Sequence, residues 1–310
     1  MDYKEVIKIW TAENSLPAAD FCITHGLIKN SIPCPKCDTR MSLTRIGLVY
    51  KSDGYVYMCK NKVCAQVKPL SCRNSNSFLL KFPKTKLQDL VYLTYLWSID
   101  VPNKTAQVKT SLSKKTIIAV FRELRLTCKW KFEFDYNGPS LGGPGCVVEI
   151  DESCFRHKQK YHRGRANPNP KWVFGLISRS TPDSHAHGVM KVVMARNAET
   201  LIPLIQAHVK PGTKVISDLW RAYNDVDTLP GLEHGTVNHS VNFVCPVTLN
   251  HTQGIESYWA QVKDKLKRMK GIAFEHLEGY LEEKMWRDRN GGTSAEAFSN
   301  IIGDLALRYL

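Results

Sequence analysis

The sequence predicts a mixed α/β domain in its C-terminal half, led by a small metal-stapled β module and a helical module. Three observations carry this prediction. Residues 146–310 alternate strand-like and helix-like runs in the order three strands, helix, strand, helix, strand, helix. That order matches an RNase H-like fold. Upstream, Cys34-Pro-Lys-Cys37 and Cys59-Lys-Asn-Lys-Val-Cys64 form two cysteine knuckles. Between the two parts, residues 137–145 (NGPSLGGPG) read as a linker, because glycine and proline punctuate regular structure.

Composition bounds the function. The chain has 310 residues, with 43 Lys+Arg against 29 Asp+Glu and a formal net charge of +14. Such an excess favours a polyanionic partner, most simply nucleic acid. The 43% apolar content suits a packed globule and argues against wholesale disorder. No run of 18 apolar residues exists, so no transmembrane helix and no membrane partner are expected. The opening MDYKEVIKIW lacks the apolar stretch of a secretory signal, which points to a reducing compartment. There the ten cysteines stay free or bind metal.

Residues 1–30 read as a helical lead-in, and residues 31–72 as a zinc ribbon. A tetrahedral Zn2+ takes four thiolates, and each knuckle folds two onto one ion. The intervening MSLTRIGLVYKSDGYVYM suggests a hairpin with Ser52-Asp53-Gly54 as its turn signal. Cys34, Cys37 and Cys59 are candidate ligands, with Cys64 or Cys72 as the fourth. The isolated Cys22, Cys128, Cys146, Cys154 and Cys245 are expected as small buried apolar side chains.

The region 85–136 predicts helices. LQDLVYLTYLW (87–97) is too densely apolar for a surface helix and belongs inside a bundle. A short helix over about 103–110 precedes Ser111-Leu112-Ser113, with Ser113 as N-cap of a second helix over about 114–127. Ile117, Ile118, Val120, Phe121, Leu124 and Leu126 form the apolar side of that helix. Lys114, Lys115, Arg122 and Arg125 form the polar side. This is a helix-turn-helix pattern whose cations would meet DNA phosphates. An ordinary helical hairpin with a solvated face gives the same pattern.

In the C-terminal part the strands are 146–151, 171–179, 188–195, 214–218 and, fifth, 234–240. Helices are expected over 198–209, 220–226, 251–271 and, after that, about 274–310 with a break at Asn290-Gly291-Gly292. Asp151 ends the first strand and Asp218 the fourth, where functional groups of an open α/β sheet collect. Glu256 lies at the edge of the buried stripe Ile255, Trp259, Val262 and Leu266. Three converging carboxylates repel one another, and hard divalent cations, Mg2+ or Mn2+, relieve this. Glu149 and Glu152 are rivals of Asp151. Glu149 shares its face and Glu152 points oppositely. Asp225 and Asp227 read as solvated loop acids, and Trp220 and Trp259 as core. Between the first two strands a basic loop carries Arg156, Lys158, Arg163 and Arg165, suited to phosphates. Lys263 and Lys267 extend a basic face along the Glu256 helix.

These residues resemble a known family. Residues 146–290 look like the catalytic domain of Merlin-type DDE transposases and their bacterial insertion-sequence relatives. The matching pieces include VVEIDES (147–153), KWVFG (171–175), PGTKVISDLWRAY (211–223), VNHSVNFV (237–244), HTQGIESYW (251–259) and YLEEKMWR (280–287). The zinc ribbon and helix-turn-helix resemble the family as well, and 291–310 is left as a helical tail. The resemblance implies an RNase H-like fold with Asp151, Asp218 and Glu256 as catalytic metal ligands. It implies cut-and-paste transposition: binding of terminal inverted repeats in double-stranded DNA, metal-dependent cleavage, and joining to target DNA by at least a dimer. A host-recruited derivative that binds DNA without cutting is the alternative. Localisation would be the nucleus in a eukaryote, or the bacterial cytoplasm at the nucleoid. His239 and His251 fall in matching motifs and could position a phosphate, support an acid or simply hydrogen-bond.

Overall fold

The computed structural model describes residues 3–46, 53–64, 68–136, 138, 140–155, 171–182, 184–238, 244–246, 248–269 and 271–309. The elements begin with α1 (Tyr3–Trp10), α2 (Leu16–Thr24), β1 (Ser31–Pro33), β2 (Arg40–Arg45), β3 (Tyr55–Met58) and β4 (Leu70–Ser71). Next come α3 (Ser77–Leu80), α4 (Leu87–Ser98), α5 (Asn103–Thr110) and α6 (Lys114–Asp135). The chain continues with β5 (Val147–Phe155), β6 (Lys171–Ser178), β7 (His187–Val193), α7 (Ala198–His208), β8 (Lys214–Ser217) and β9 (Glu233–Thr236). Last are α8 (Gln253–Arg268), α9 (Leu277–Asn290) and α10 (Ser294–Arg308). The chain divides into two compact units, residues 1–131 with 290–310, and residues 132–289.

In the first unit, β1-β2-β3-β4 form an antiparallel sheet whose β2–β3 pair is the expected hairpin. Its small core is Cys34, Met41 and Tyr57. Position 52 of the expected turn lies outside the described residues. Asp53 does more than turn the chain. Its carboxylate is buried and takes both Nε and Nη2 of Arg73, at 2.6 and 2.9 Å. The densely apolar helix is α4, buried nearly all round and packed against α1, α2, α5 and α10. Trp10 stacks on Tyr92 at 4.1 Å between ring centroids. The segment expected as a C-terminal tail is α10, begun by a Thr293–Glu296 capping box and packed on α4.

α5 and α6 fall where the periodicity places them. Ser111 takes a left-handed conformation between them, and the Ser113 hydroxyl accepts from the Thr116 N–H at 3.1 Å. α6 runs past 127 because Leu124, Cys128 and Phe132, four residues apart, extend its buried stripe. Ile118, assigned to the apolar side, is exposed instead, and Leu126 is half-buried.

The second unit is a mixed five-stranded sheet, order β7-β6-β5-β8-β9. β7-β6-β5 are antiparallel, and β8 and β9 join parallel to β5. Val148, Ile150, Phe174, Leu176, Val189 and Val215 are buried in its core, with Leu201 and Ile205 of α7. α8 lies on β5 and β6 through Ile255 and Trp259. Gly175 makes room, since a Cβ there would stand 2.4 Å from the Trp259 ring. The expected helix at 220–226 is instead two 3-10 turns, Arg221–Tyr223 and Val226–Thr228. The described part of the linker is no free tether. Leu141 is fully buried, and its N–H donates to His208 O at 2.9 Å. At Gly142, φ is +72° and a Cβ would meet Thr213 Oγ1 at 2.3 Å, so glycine is required. Among the described residues no helix is long and apolar enough to cross a membrane.

Candidate active site and metal centre

Asp151 does not end its strand. β5 continues to Phe155, paired with β6 through Phe155↔Lys171, while its parallel neighbour β8 stops at Ser217. Glu149 pairs with Ile216, and continuing that register brings Asp218 level with Asp151. The pair therefore sits where β8 leaves the side of β5. Trp259 Nε1–H donates to Asp151 Oδ2 at 3.0 Å, and the Trp220 N–H donates to Asp218 Oδ1 at 2.9 Å. Glu256 is exposed in the first turn of α8.

Asp151 feels the other two acids. Burial raises the Asp151 carboxyl to about 6, the Trp259 indole opposes this, and the charges of Asp218 and Glu256 add to the rise. Glu152, on the opposite face, belongs to the same electrostatic group. Burial raises it to about 7, and Asp151 and Asp218 push in the same direction. Tyr223 is close enough to favour the Glu152 carboxylate, yet Tyr223 Oη and Glu152 Oε1 fall short of hydrogen-bond geometry and are buried without partners. Hard oxygen donors with mutually repelling charge fit Mg2+ or Mn2+, so the residues present suit such an ion. Among the described residues the acids do not gather as tightly as the thiols described below.

Glu149 is not the metal-facing rival of Asp151. It is fully buried and ion-paired to Arg179 at 2.7 Å. His251 Nδ1 stands 3.6 Å from it, too long for a hydrogen bond. His239 lies outside the described residues.

In the ribbon, Cys34, Cys37, Cys59 and Cys64 bring their sulfurs within 4.8 Å of one another. Cys34 pairs with Cys64 and Cys37 with Cys59, each at 3.7 Å. Four such thiols could hold one metal ion, and the donor set suits Zn2+. Hydrogen bonds from Thr39, side chain and backbone, draw Cys37 down to about 6. Cys72 lies outside this group. It is fully buried, and burial pushes its thiol up to about 12, which disfavours the thiolate a metal needs. Cys22 and Cys128 are buried as expected, whereas Cys146, Cys154 and Cys245 are half-buried.

Residues 140–289 match the ISXO2-like transposase domain family. A protein of Haemophilus influenzae described as an uncharacterized transposase-like protein is 36% identical over 99 residues, covering 32% of this chain and 78% of that protein. The chain belongs to the ISXO2-like DDE transposase family. A crystal structure of a pre-cleavage Mos1 transpososome aligns over 69% of this chain and 74% of the other, at 13% identity and a TM-score of 0.26. That superposition is too loose to support conclusions.

Within this transposase domain the cations divide. Lys263 is half-buried with its ammonium 5.5 Å from the Phe155 ring centroid, and Lys267 is exposed. Lys265 is engaged with Glu283 at 2.9 Å. Arg156, Lys158, Arg163 and Arg165 lie outside the described residues. In α6, Lys114, Lys115 and Arg122 are exposed, and Arg125 is half-buried. Trp259 is core, as its helix stripe foretold. Trp220 is not: it is 39% exposed, beside Asp218. Arg196 was not anticipated. Its guanidinium lies 3.6 Å from the Trp172 ring centroid and 5.6 Å from that of Trp220, and its charge favours the Glu152 carboxylate. No spacing rule in the sequence connects these residues.

Proposed function

We propose that this protein is a DNA transposase that binds the terminal inverted repeats of its element, cleaves the strands there and joins the freed ends to target DNA. The observation that carries the reading is the electrostatic coupling of Asp151 to Asp218 and Glu256, acids from β5, the end of β8 and α8. The strand order β7-β6-β5-β8-β9 supports an RNase H-like assignment.

Asp151, Asp218 and Glu256 would hold one or two divalent ions, which supply charge neutralisation and Lewis-acid polarisation at a phosphodiester. The chain's own residues set the geometry. Trp259 fixes which Asp151 oxygen faces outward, and the Trp220 N–H does the same for Asp218. In the first step a water oxygen forms a bond to phosphorus. The bond from phosphorus to the 3′ oxygen breaks, leaving a 3′-hydroxyl and a 5′-phosphate. In the second step that 3′-hydroxyl attacks a target phosphodiester, and the target's own 3′ oxygen leaves. Phosphate contacts fall to Lys114, Lys115, Arg122 and Arg125 of α5-α6, used as a DNA-binding helix-turn-helix. Arg156, Lys158, Arg163, Arg165, Lys263 and Lys267 would add further phosphate contacts. Cys34, Cys37, Cys59 and Cys64 would hold a Zn2+ that staples the ribbon. Joining two element ends calls for two copies of the chain. The site of action is the nucleus of a eukaryotic cell or the nucleoid of a bacterium.

The test is cleavage of a duplex carrying the element ends, with Mg2+ or Mn2+, comparing the parent with Asp218→Asn. The parent cuts. The variant binds the duplex equally and loses at least about 100-fold in rate, since weakening the hold on an ion that neutralises transition-state charge costs on the scale of one lost stabilising group. Equal cutting by both removes Asp218 from the mechanism. Binding without cutting by the parent leaves a recruited DNA-binding protein.

A further inference from the structure

Glu149 lies two residues before Asp151 on the same face of β5, and it is fully buried. A carboxylate removed from water needs matched partners. Arg179 Nε donates to Oε1 at 2.7 Å, and the Ile255 N–H donates to Oε2 at 2.9 Å. Arg179 also donates through Nη2 to His251 O at 2.9 Å, so the guanidinium grips both the carboxylate and the chain entering α8. Gly254 completes the fit. A Cβ there would stand 2.8 Å from Oε2 and 3.0 Å from Oε1. Ile255 is in the first turn of α8, and Glu256 is the next residue. One turn on, Trp259 of the same helix donates to Asp151.

We propose that Glu149 is a positioning residue that bolts the first turn of α8 to β5. It thereby sets the separation of Glu256 from Asp151 and the affinity of the acids for a divalent cation. It holds no metal itself, because its oxygens are committed to Arg179 and Ile255. Gln cannot replace it. An amide places an NH2 group against either the Arg179 or the Ile255 donor, and leaves the guanidinium without its counter-charge. The role assigned to the acids rests on the transposase reading, but the proposal is tested without cleavage.

The experiment is calorimetric titration of the full-length, zinc-loaded protein with Mn2+, alongside melting temperatures. Glu149→Gln removes the charge, and Gly254→Ala presses on the same carboxylate without altering any charge. Leu201→Ala is the control, a core truncation on α7 in the same unit. Both test variants are expected to bind Mn2+ about 10-fold more weakly than the parent, the scale of partners that orient metal ligands. Leu201→Ala keeps the parent's affinity even where its melting temperature falls as far. Parent-like binding by either folded test variant overturns the proposal, and so does an equal loss in Leu201→Ala. If only one test variant folds, that one decides. If neither folds, Glu149 serves the fold alone and the proposal falls. A parent that binds Mn2+ but does not cut DNA removes the transposase reading and leaves the positioning role. A parent that binds no Mn2+ removes both.

Discussion

Asp151 and Glu152 are adjacent in sequence, project to opposite faces of β5, and are both raised by burial first and by neighbouring acids second. For Asp151 the folded value of about 6 exceeds the ordinary 3.8. The folded state therefore binds that proton more tightly than the unfolded chain. Its stabilising effect is complete below about 3.8 and is lost as pH rises through about 6. The gap corresponds to about 3 kcal/mol as an upper scale. In chelator, Asp151→Asn is expected to melt at a higher temperature than the parent at pH 8. The difference fades towards pH 4, and added Mg2+ narrows it at pH 8 by stabilising the parent. Thermal unfolding across that range is the check, and a parent as stable as the variant at pH 8 in chelator would contradict it. The candidate acids Asp151, Asp218 and Glu256 were singled out by strand and helix patterning, although β5 runs on past Asp151. The roles of Glu149 and Glu152 were not. Alternation along a strand tells which face a side chain takes, but not whether Arg179 or Tyr223 waits there.

At the scale of elements, the ribbon shows how little apolar core surrounds its four gathered cysteines. Cys34, Met41 and Tyr57 are its buried cluster, too small to hold four short strands unaided. The parent is expected to carry one zinc equivalent, and Cys64→Ser to lose it and to expose the ribbon to protease. Cys72→Ser keeps the metal. Metal analysis of the purified variants decides, and metal loss in Cys72→Ser would reverse the assignment. Sequence spacing could not choose between Cys64 and Cys72, because both follow Cys59 within reach of a turn. The structure separates them by burying Cys72 away from the other sulfurs. β5 teaches the same lesson. Its Asp-Glu pair reads as a strand end, yet β6 pairs with it through Phe155 and packing carries the strand onward.

For the whole molecule, the net charge of +14 is the property that long-range electrostatics reads. DNA affinity should fall steeply with salt, because each phosphate contact releases a counterion. Exposed Lys114 and Lys115 start α6. Replacing both with Ala should lower the slope of log affinity against log salt by about 2, roughly one per lost phosphate contact. Binding measured from low to moderate salt tests this, and an unchanged slope would remove the start of α6 from the DNA interface. Sequence alone determined the features that are local or ordered along the chain. These are the paired cysteine knuckles, the α5-α6 break before the Ser113 N-cap, and the strand and helix order of the sheet domain apart from the 220–226 segment. Tertiary structure decided what depends on partners far apart in the chain. It joined Trp259 to Asp151, Ile255 and Arg179 to Glu149, Asp53 to Arg73, and α10 to α4. The physical reason is range. Turn chemistry and periodicity act over a few residues, whereas a buried charge or indole N–H finds its partner only when distant segments pack and exclude water.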